Sequence, residues 1–255
     1  DLISGSAGLR RRYLDWGLFH VEPAFLPLWR RYARALKQRN RLLKLRIRDG
    51  QLDAWEHELG RAGEPATAFR RAYADALQGE LFAVAGEFLP SLGLPTLRFQ
   101  PGWRQDELSL ADALLVSRER DLQSGFTSVG PHRADWRIAF AGLPNGESLS
   151  RGQAKLTALA AILTQGRHHA AARGHWPVIL LDDLASELDQ AHQARVIAFL
   201  AATGAQVLLT GTHVPEIAGW TRELEMSHVE PDEQAAGPSR VTAGSSGADA
   251  PELHS

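Results

Sequence analysis

The 255-residue chain has no cysteine, which excludes disulfides, thiolate metal sites and thiol catalysis. No apolar run approaches the roughly eighteen residues of a membrane helix, and no signal peptide is visible, so the cytoplasm is the expected location and no membrane partner is expected. No glycine is followed by lysine; the G-x-x-x-x-G-K-[ST] loop that cradles nucleotide phosphates is therefore absent. The only methionine is Met226 and the first residue is Asp1, and the chain is expected to be the C-terminal part of a longer protein. No set of ligands at metal-binding spacing supports a zinc site, and His168-His169, in a polar Ala-rich stretch, reads as solvated.

Acid is missing over one long stretch. Between Glu22 and Asp49 there is no carboxylate, whereas Arg30, Arg31, Arg34, Lys37, Arg39, Arg41, Lys44, Arg46 and Arg48 all fall there. At about 100° per residue, Arg30, Arg34, Lys37, Arg41, Lys44 and Arg48 form one stripe of a helix, with Phe25, Trp29, Tyr32, Leu36, Leu43 and Ile47 on the far side. The spacing predicts an amphipathic helix with a basic rail about 27 Å long. Like charges at i, i+4 repel, and nucleic-acid phosphates would neutralise them. The alternative is a solvated face, or a rail paired with Asp53, Glu56 and Glu58 of the next segment.

What is present further along carries chemistry. Val178 to Leu181 is a short apolar run after Pro177 and before Asp182-Asp183, the pattern of a fully buried parallel strand. Ligands of open α/β sheets bind at the carboxyl ends of strands. Asp182 there is suited to Mg²⁺, which takes one or two carboxylates and keeps several waters, and Asp183 to polarising an attacking water. A strand that merely ends in an acidic turn or helix cap is the plainer reading. Upstream, Leu149-Ser150-Arg151-Gly152-Gln153 precedes a helix-compatible run from Ala154 to Leu163. A helix N-terminus offers unpaired N–H groups to a phosphate, Ser150 adds a hydroxyl, and Gly152 permits close backbone approach; an ordinary cap is again the plainer reading. A strand from Gln206 to Thr210 follows and leads to His213.

In order, these motifs resemble the ATP-binding cassette class, whose signature is Leu-Ser-Gly-Gly-Gln and whose strand ends in Asp-Glu. Arg151 and Asp183 depart from it. Those departures, with Gly130-Pro131-His132-Arg133-Ala134-Asp135, Arg11-Arg12-Tyr13-Leu14-Asp15-Trp16-Gly17 and Leu36-Lys37-Gln38-Arg39-Asn40, resemble the RecF family of DNA replication and repair proteins over residues 1 to about 228. The resemblance implies an α/β fold, the second half of an ABC/SMC-like P-loop ATPase lobe with an inserted helical arm. It implies ATP and Mg²⁺ as cofactors, bound between two protomers of an ATP-dependent homodimer: Ser150, Arg151, Gly152, Gln153 and Asp189 would meet the nucleotide of the partner subunit, Asp182 would be the metal ligand, and Asp183 and His213 the catalytic pair.

The family further implies single- and double-stranded DNA, gapped junctions, RecR and RecO as partners, and assistance to RecA loading in recombinational repair and replication restart. A weak ATPase is expected of the full-length protein and none of this chain without the phosphate loop. The expected organisation is a link (1–17), a helical DNA-binding arm (18–122), the C-terminal half of the ATPase lobe (123–228) and a disordered tail (229–255). Within the arm a helix is expected over Ala66–Phe88, a strand over 96–104 and a helix over Ser109–Leu122; strand character returns over 126–142. His132 reads as a turn residue without an assigned chemistry. A transporter nucleotide-binding subunit and a non-enzymatic DNA-binding remnant are the competing readings.

Overall fold

The computed structural model describes residues 2–48, 50–143 and 148–211, together with the backbone of 225–227 and 240–242. Helix α1 (Ala7–Val21) leads into α2 (Phe25–Lys44) and then α3 (Gly50–Phe88). Strand β1 (Pro95–Gln100) and helix α4 (Leu110–Ser124) follow, then β2 (Asp135–Phe140) and α5 (Arg151–Arg173). The remainder comprises β3 (Ile179–Leu181), the single turn α6 (Leu184–Glu187), α7 (Gln190–Ala202), β4 (Val207–Leu209), β5 (Glu225–Ser227) and β6 (Arg240–Thr242).

Helix α3 is the largest departure from the sequence pattern. Its 39 residues run unbroken through Gly60, Gly63 and Pro65, all helix-breaking residues, where the periodicity predicts a helix only from Ala66. Packing overrides propensity here. A Cβ on Gly63 would lie 2.5 Å from Leu110 and 3.0 Å from Tyr32, so glycine is what lets α2 and α4 close onto α3. Tyr32, Ala35, Leu59, Ala62, Leu110 and Leu114 make the small core of this helical layer.

The second half of α3 belongs to another core. Leu81, Val84, Ala85 and Phe88 pack with Leu156, Ala160 and Leu163 of α5, Ile179 of β3, and Val196 and Leu200 of α7. The strand expected over 96–104 stops at Gln100, and it pairs antiparallel with β2, Leu97 opposite Ile138 and Phe99 opposite Trp136. Trp136 is fully buried and donates its indole N–H to the Arg10 carbonyl at 2.7 Å. Both α3 and the β1–β2 pair therefore join the expected arm to the expected lobe, across the 122/123 division.

Strands β3 and β4 are parallel neighbours in register, Ile179 opposite Val207 and Leu181 opposite Leu209. The expectation of a fully buried strand is corrected. Ile179 is buried, but Val178, Leu180 and Leu208 are more than half exposed, because among the described residues only one face of this two-stranded sheet is covered by helices. Strand β6 falls inside the expected disordered tail and pairs antiparallel with β5; the rest of the tail lies outside the described residues.

Candidate nucleotide and nucleic-acid sites

Ser150 is the N-cap of α5 and closes a capping box: its Oγ accepts from the Gln153 backbone N–H at 3.2 Å, and Gln153 Oε1 accepts from the Ser150 N–H at 2.8 Å. This satisfies two of the groups at the helix mouth and makes the plain cap reading correct within the chain. The backbone N–H groups of Arg151 and Gly152 have no partner among the described residues, and the Ser150 hydroxyl proton is still free to be donated. A Cβ on Gly152 would meet nothing within 4 Å. No internal packing asks for glycine there, although an exposed helical glycine costs about 1 kcal/mol relative to alanine. These donors suit a phosphate oxygen.

The end of β3 is built around Thr210. Its hydroxyl donates to Asp182 Oδ1, while the Asp183 N–H donates to the Thr210 carbonyl at 3.0 Å and lies 3.2 Å from its Oγ1. Asp183 sits at φ 47°, ψ 49°, the left-handed region that aspartate tolerates better than most residues, and its carbonyl accepts from the Ser186 hydroxyl. Asp182 is exposed, and among the described residues no group of three or more His, Cys, Asp or Glu converges as a metal cage. One exposed carboxylate beside a hydroxyl fits Mg²⁺ held mostly by water and phosphate, and does not fit a dedicated protein cage. Asp189 caps α7, accepting from the His192 N–H at 2.9 Å and meeting His192 Nδ1 at 2.7 Å; these bonds hold its carboxyl below the usual carboxylate range.

A cavity of about 500 Å³ brings Arg151 and Asp182 together, with Lys155, Glu187, Leu2 and Ile3 among its walls. Ser150, Gly152, Gln153, Asp183 and Asp189 do not line it. Lys155 and Glu187 form an ion pair across it; neither stands out in sequence beyond the i, i+4 relation of Lys155 to Arg151. His213 lies outside the described residues.

The basic helix divides into two populations. Arg30, Arg34, Lys37, Arg41 and Lys44 are exposed on α2 and make no ion pair or side-chain hydrogen bond among the described residues. Arg39 faces inward, fully buried, bonded to Glu56 at 2.9 Å, to Asp121 at 2.8 Å and to Thr127 at 2.9 Å. Arg31 pairs with Glu58, and Arg118 with both Asp53 and Glu56. The three acids that could have neutralised the rail are thus engaged elsewhere. Arg48 corrects the expectation: α2 ends at Lys44, and Arg48, beyond it, pairs with Glu119. The chain turns because Arg46 adopts φ 54°, with Arg46 N–H bonded to Leu43 O and Ile47 N–H to Leu42 O, the Schellman ending with arginine where glycine is usual. Five cations remain on a helical row about 21 Å long at 1.5 Å per residue. Trp29, expected on the buried face, is 37% exposed.

His132, without a sequence-level role, sits in a 3-10 turn, Pro131–Arg133. Its Nδ1 is 2.7 Å from the Tyr32 hydroxyl and its Nε2 2.9 Å from the Thr127 carbonyl. The carbonyl can only accept, so Nε2 carries the proton and Nδ1 accepts from Tyr32. Burial pushes its pKa down to about 4. His168 and His169 are also not solvated as expected. His169 is buried, and His168 meets the Tyr73 ring edge-on at 5.1 Å.

No family model matches the chain. A DNA replication and repair protein RecF from Stenotrophomonas maltophilia (strain R551-3) is 56% identical over 229 residues, covering 90% of this chain. Its counterpart in Xanthomonas euvesicatoria pv. vesicatoria (strain 85-10) is 58% identical over 230 residues, again 90% of this chain. The chain belongs to the RecF family. RecF from Pseudomonas paraeruginosa (strain DSM 24068 / PA7) is 42% identical over 238 residues. The chain spans 63%, 62% and 63% of the length of these three relatives. Among solved structures, the recombination mediator protein RecF with ATP, of the RecFOR pathway, superposes with a TM-score of 0.72 at 24% identity, covering 83% of this chain and 59% of that one. The likeness shows that the α/β arrangement with its helical arm is the RecF fold.

Proposed function

We propose that this chain supplies the DNA-binding arm and the closing half of the nucleotide site of an ATP-dependent DNA clamp acting in recombinational repair and replication restart. The observation that carries the reading is the unneutralised row of Arg30, Arg34, Lys37, Arg41 and Lys44. A like-charged helical row is destabilising by itself, and DNA phosphates are the polyanion that matches a straight row of cations. The identity with relatives named as DNA replication and repair proteins supports the same conclusion. The solved RecF with ATP supports ATP as the ligand and the RecFOR pathway as the setting; in this reading RecO and RecR are the partners, the site of action is gapped DNA, and the step served is RecA loading.

Within that clamp the Ser150 hydroxyl and the N–H groups of Arg151 and Gly152 would donate to the terminal phosphate of a nucleotide held by a second copy. Asp189 would meet the same nucleotide from the start of α7. Asp183 would accept a proton from the attacking water and His213 would orient it. Asp182 would hold Mg²⁺ through water, and the metal's contribution is to neutralise charge on the phosphates.

Sedimentation of the complete protein with ATP and Mg²⁺ tests the assignment. Ser150→Arg places a bulky cation on the closing surface, and a monomer is expected. Asp183→Asn leaves closure intact and removes the proton acceptor, a loss of roughly 10²- to 10⁴-fold in hydrolysis; a persistent dimer is expected. Hydrolysis by Asp183→Asn at the unsubstituted rate would move the role of base to another group.

A further inference from the structure

The outer surface where α1, the start of α2 and the end of α5 meet carries more exposed aromatic area than a solvated surface requires. Trp16, Phe19 and Trp29 are 42%, 36% and 37% exposed. Single exposed apolar residues are ordinary; a contiguous set of large ones marks a contact surface. Trp16 and Phe19 stand at i, i+3 on one face of α1. The Phe19 and Trp29 rings meet edge-on at 5.7 Å, and the Trp16 ring lies 4.4 Å from that of His20. Beneath His20 the buried His169 ring lies 6.0 Å away.

The electrostatics select the partner. Arg173 lies beside the platform, its guanidinium donating to the His20 carbonyl, and Arg30, the first cation of the rail, follows Trp29 directly in the chain. The charged and titratable groups acting on the buried His169, namely His175, His20 and Arg173, are all basic. A surface of indole and imidazole faces set among cations matches bases stacked in sequence along an anionic backbone. Base faces are hidden in a duplex and available only in a single strand.

We propose that Trp16 and Trp29 form a stacking platform for the bases of single-stranded DNA, at the Arg30 end of the phosphate-binding rail. The proposal rests on the DNA-binding reading of that rail and adds a polarity to it: duplex lies along Arg34 to Lys44, and the unpaired strand leaves over α1. Phosphate contacts on the rail give affinity without regard to strandedness, and the platform adds affinity only where bases are unstacked.

Fluorescence anisotropy with the whole protein tests this, using three labelled probes of equal length: an oligothymidylate, an abasic strand and a duplex. Trp16→Ala and Trp29→Ala are each expected to weaken oligothymidylate binding by roughly 5- to 100-fold, the range of one lost base stack. Abasic and duplex binding should stay within about twofold on the same basis, and Trp16→Tyr should restore most of the loss. Equal affinity of the unsubstituted protein for abasic and oligothymidylate strands, or unchanged oligothymidylate binding in both Trp→Ala variants, overturns the platform. Duplex binding that survives Arg34→Glu, Lys37→Glu and Arg41→Glu together overturns the rail reading instead. Absence of binding to any probe overturns both.

Discussion

Two arginines of α2, five residues apart, illustrate how one charge run serves two purposes. Arg34 points to solvent with no partner among the described residues; Arg39 is fully buried and held by Glu56, Asp121 and Thr127. In sequence both belong to the same acid-free basic stretch. The difference shows that local neutrality is not the rule along α2: Glu56 of α3 and Asp121 of α4 are spent on the buried Arg39, and the outer row keeps its net charge. The inward Arg39 ties α2 to α3 and α4. The outward row is left for an external anion.

That contrast can be broken most severely from the inside. Arg39→Met leaves Asp121, itself fully buried, without its cation, and breaking a buried pair in this way costs about 3–5 kcal/mol; urea unfolding should show the loss in midpoint. DNA affinity measured well below the transition should change little.

The Tyr32–His132–Thr127 bridge gives the next largest effect. The folded-state pKa of His132 is lowered to about 4 from an ordinary 6.5, so between those values the unfolded chain binds the proton and the folded chain does not. Stability from this group is complete above pH 6.5 and is lost as pH falls toward 4, about 3 kcal/mol in all at 1.36 kcal/mol per unit. Unfolding at pH 7 and pH 4.5 should show it, and His132→Asn should remove most of the difference attributable to this window. A stability difference identical in His132→Asn would assign the pH dependence to other groups.

Smaller effects are expected at the exposed sites. Ser150→Ala removes one half of the capping box, at a cost of about 1 kcal/mol by thermal unfolding. Lys37→Glu places an acid between Arg34 and Arg41, and relief of like-charge repulsion should raise stability by about 0.5 kcal/mol. The same substitution should weaken DNA binding. Opposite signs in stability and binding distinguish a functional row from a structural one.

What was legible in the sequence was local. The outward stripe of α2, the Ser150 cap and the parallel strand ending in Asp182-Asp183 each follow from spacing within a few residues, and so does the helix after Ser109. Contacts that join distant segments were not legible. Nothing near Arg39 shows that Asp121 will reach it, and the Gly60, Gly63 and Pro65 that speak against a helix do not stop α3, where Gly63 packs closely on Tyr32 and Leu110 and Gly60 on Ala111. The end of the rail is not legible, because arginine at 46 takes the left-handed position that glycine normally marks. The exposed face of the β3–β4 pair is not legible, because an apolar run gives the strand and not how many of its faces are covered. At the candidate nucleotide site the motif residues were legible, whereas Thr210, which fixes both aspartates, and the Lys155–Glu187 pair depend on how α5, α6 and β4 come together.

The central claim is that the outer row of α2 binds phosphate and the inward Arg39 does not. Its most direct test is the salt dependence of duplex binding by the complete protein with Arg34→Glu, Lys37→Glu and Arg41→Glu. If each residue neutralises one phosphate, the slope of log affinity against log salt should flatten by roughly 0.9 per contact, about 2.7 for the triple variant, with the same loss on every sequence. A slope equal to that of the unsubstituted protein would contradict the account and assign this face of α2 to a protein partner or to solvent.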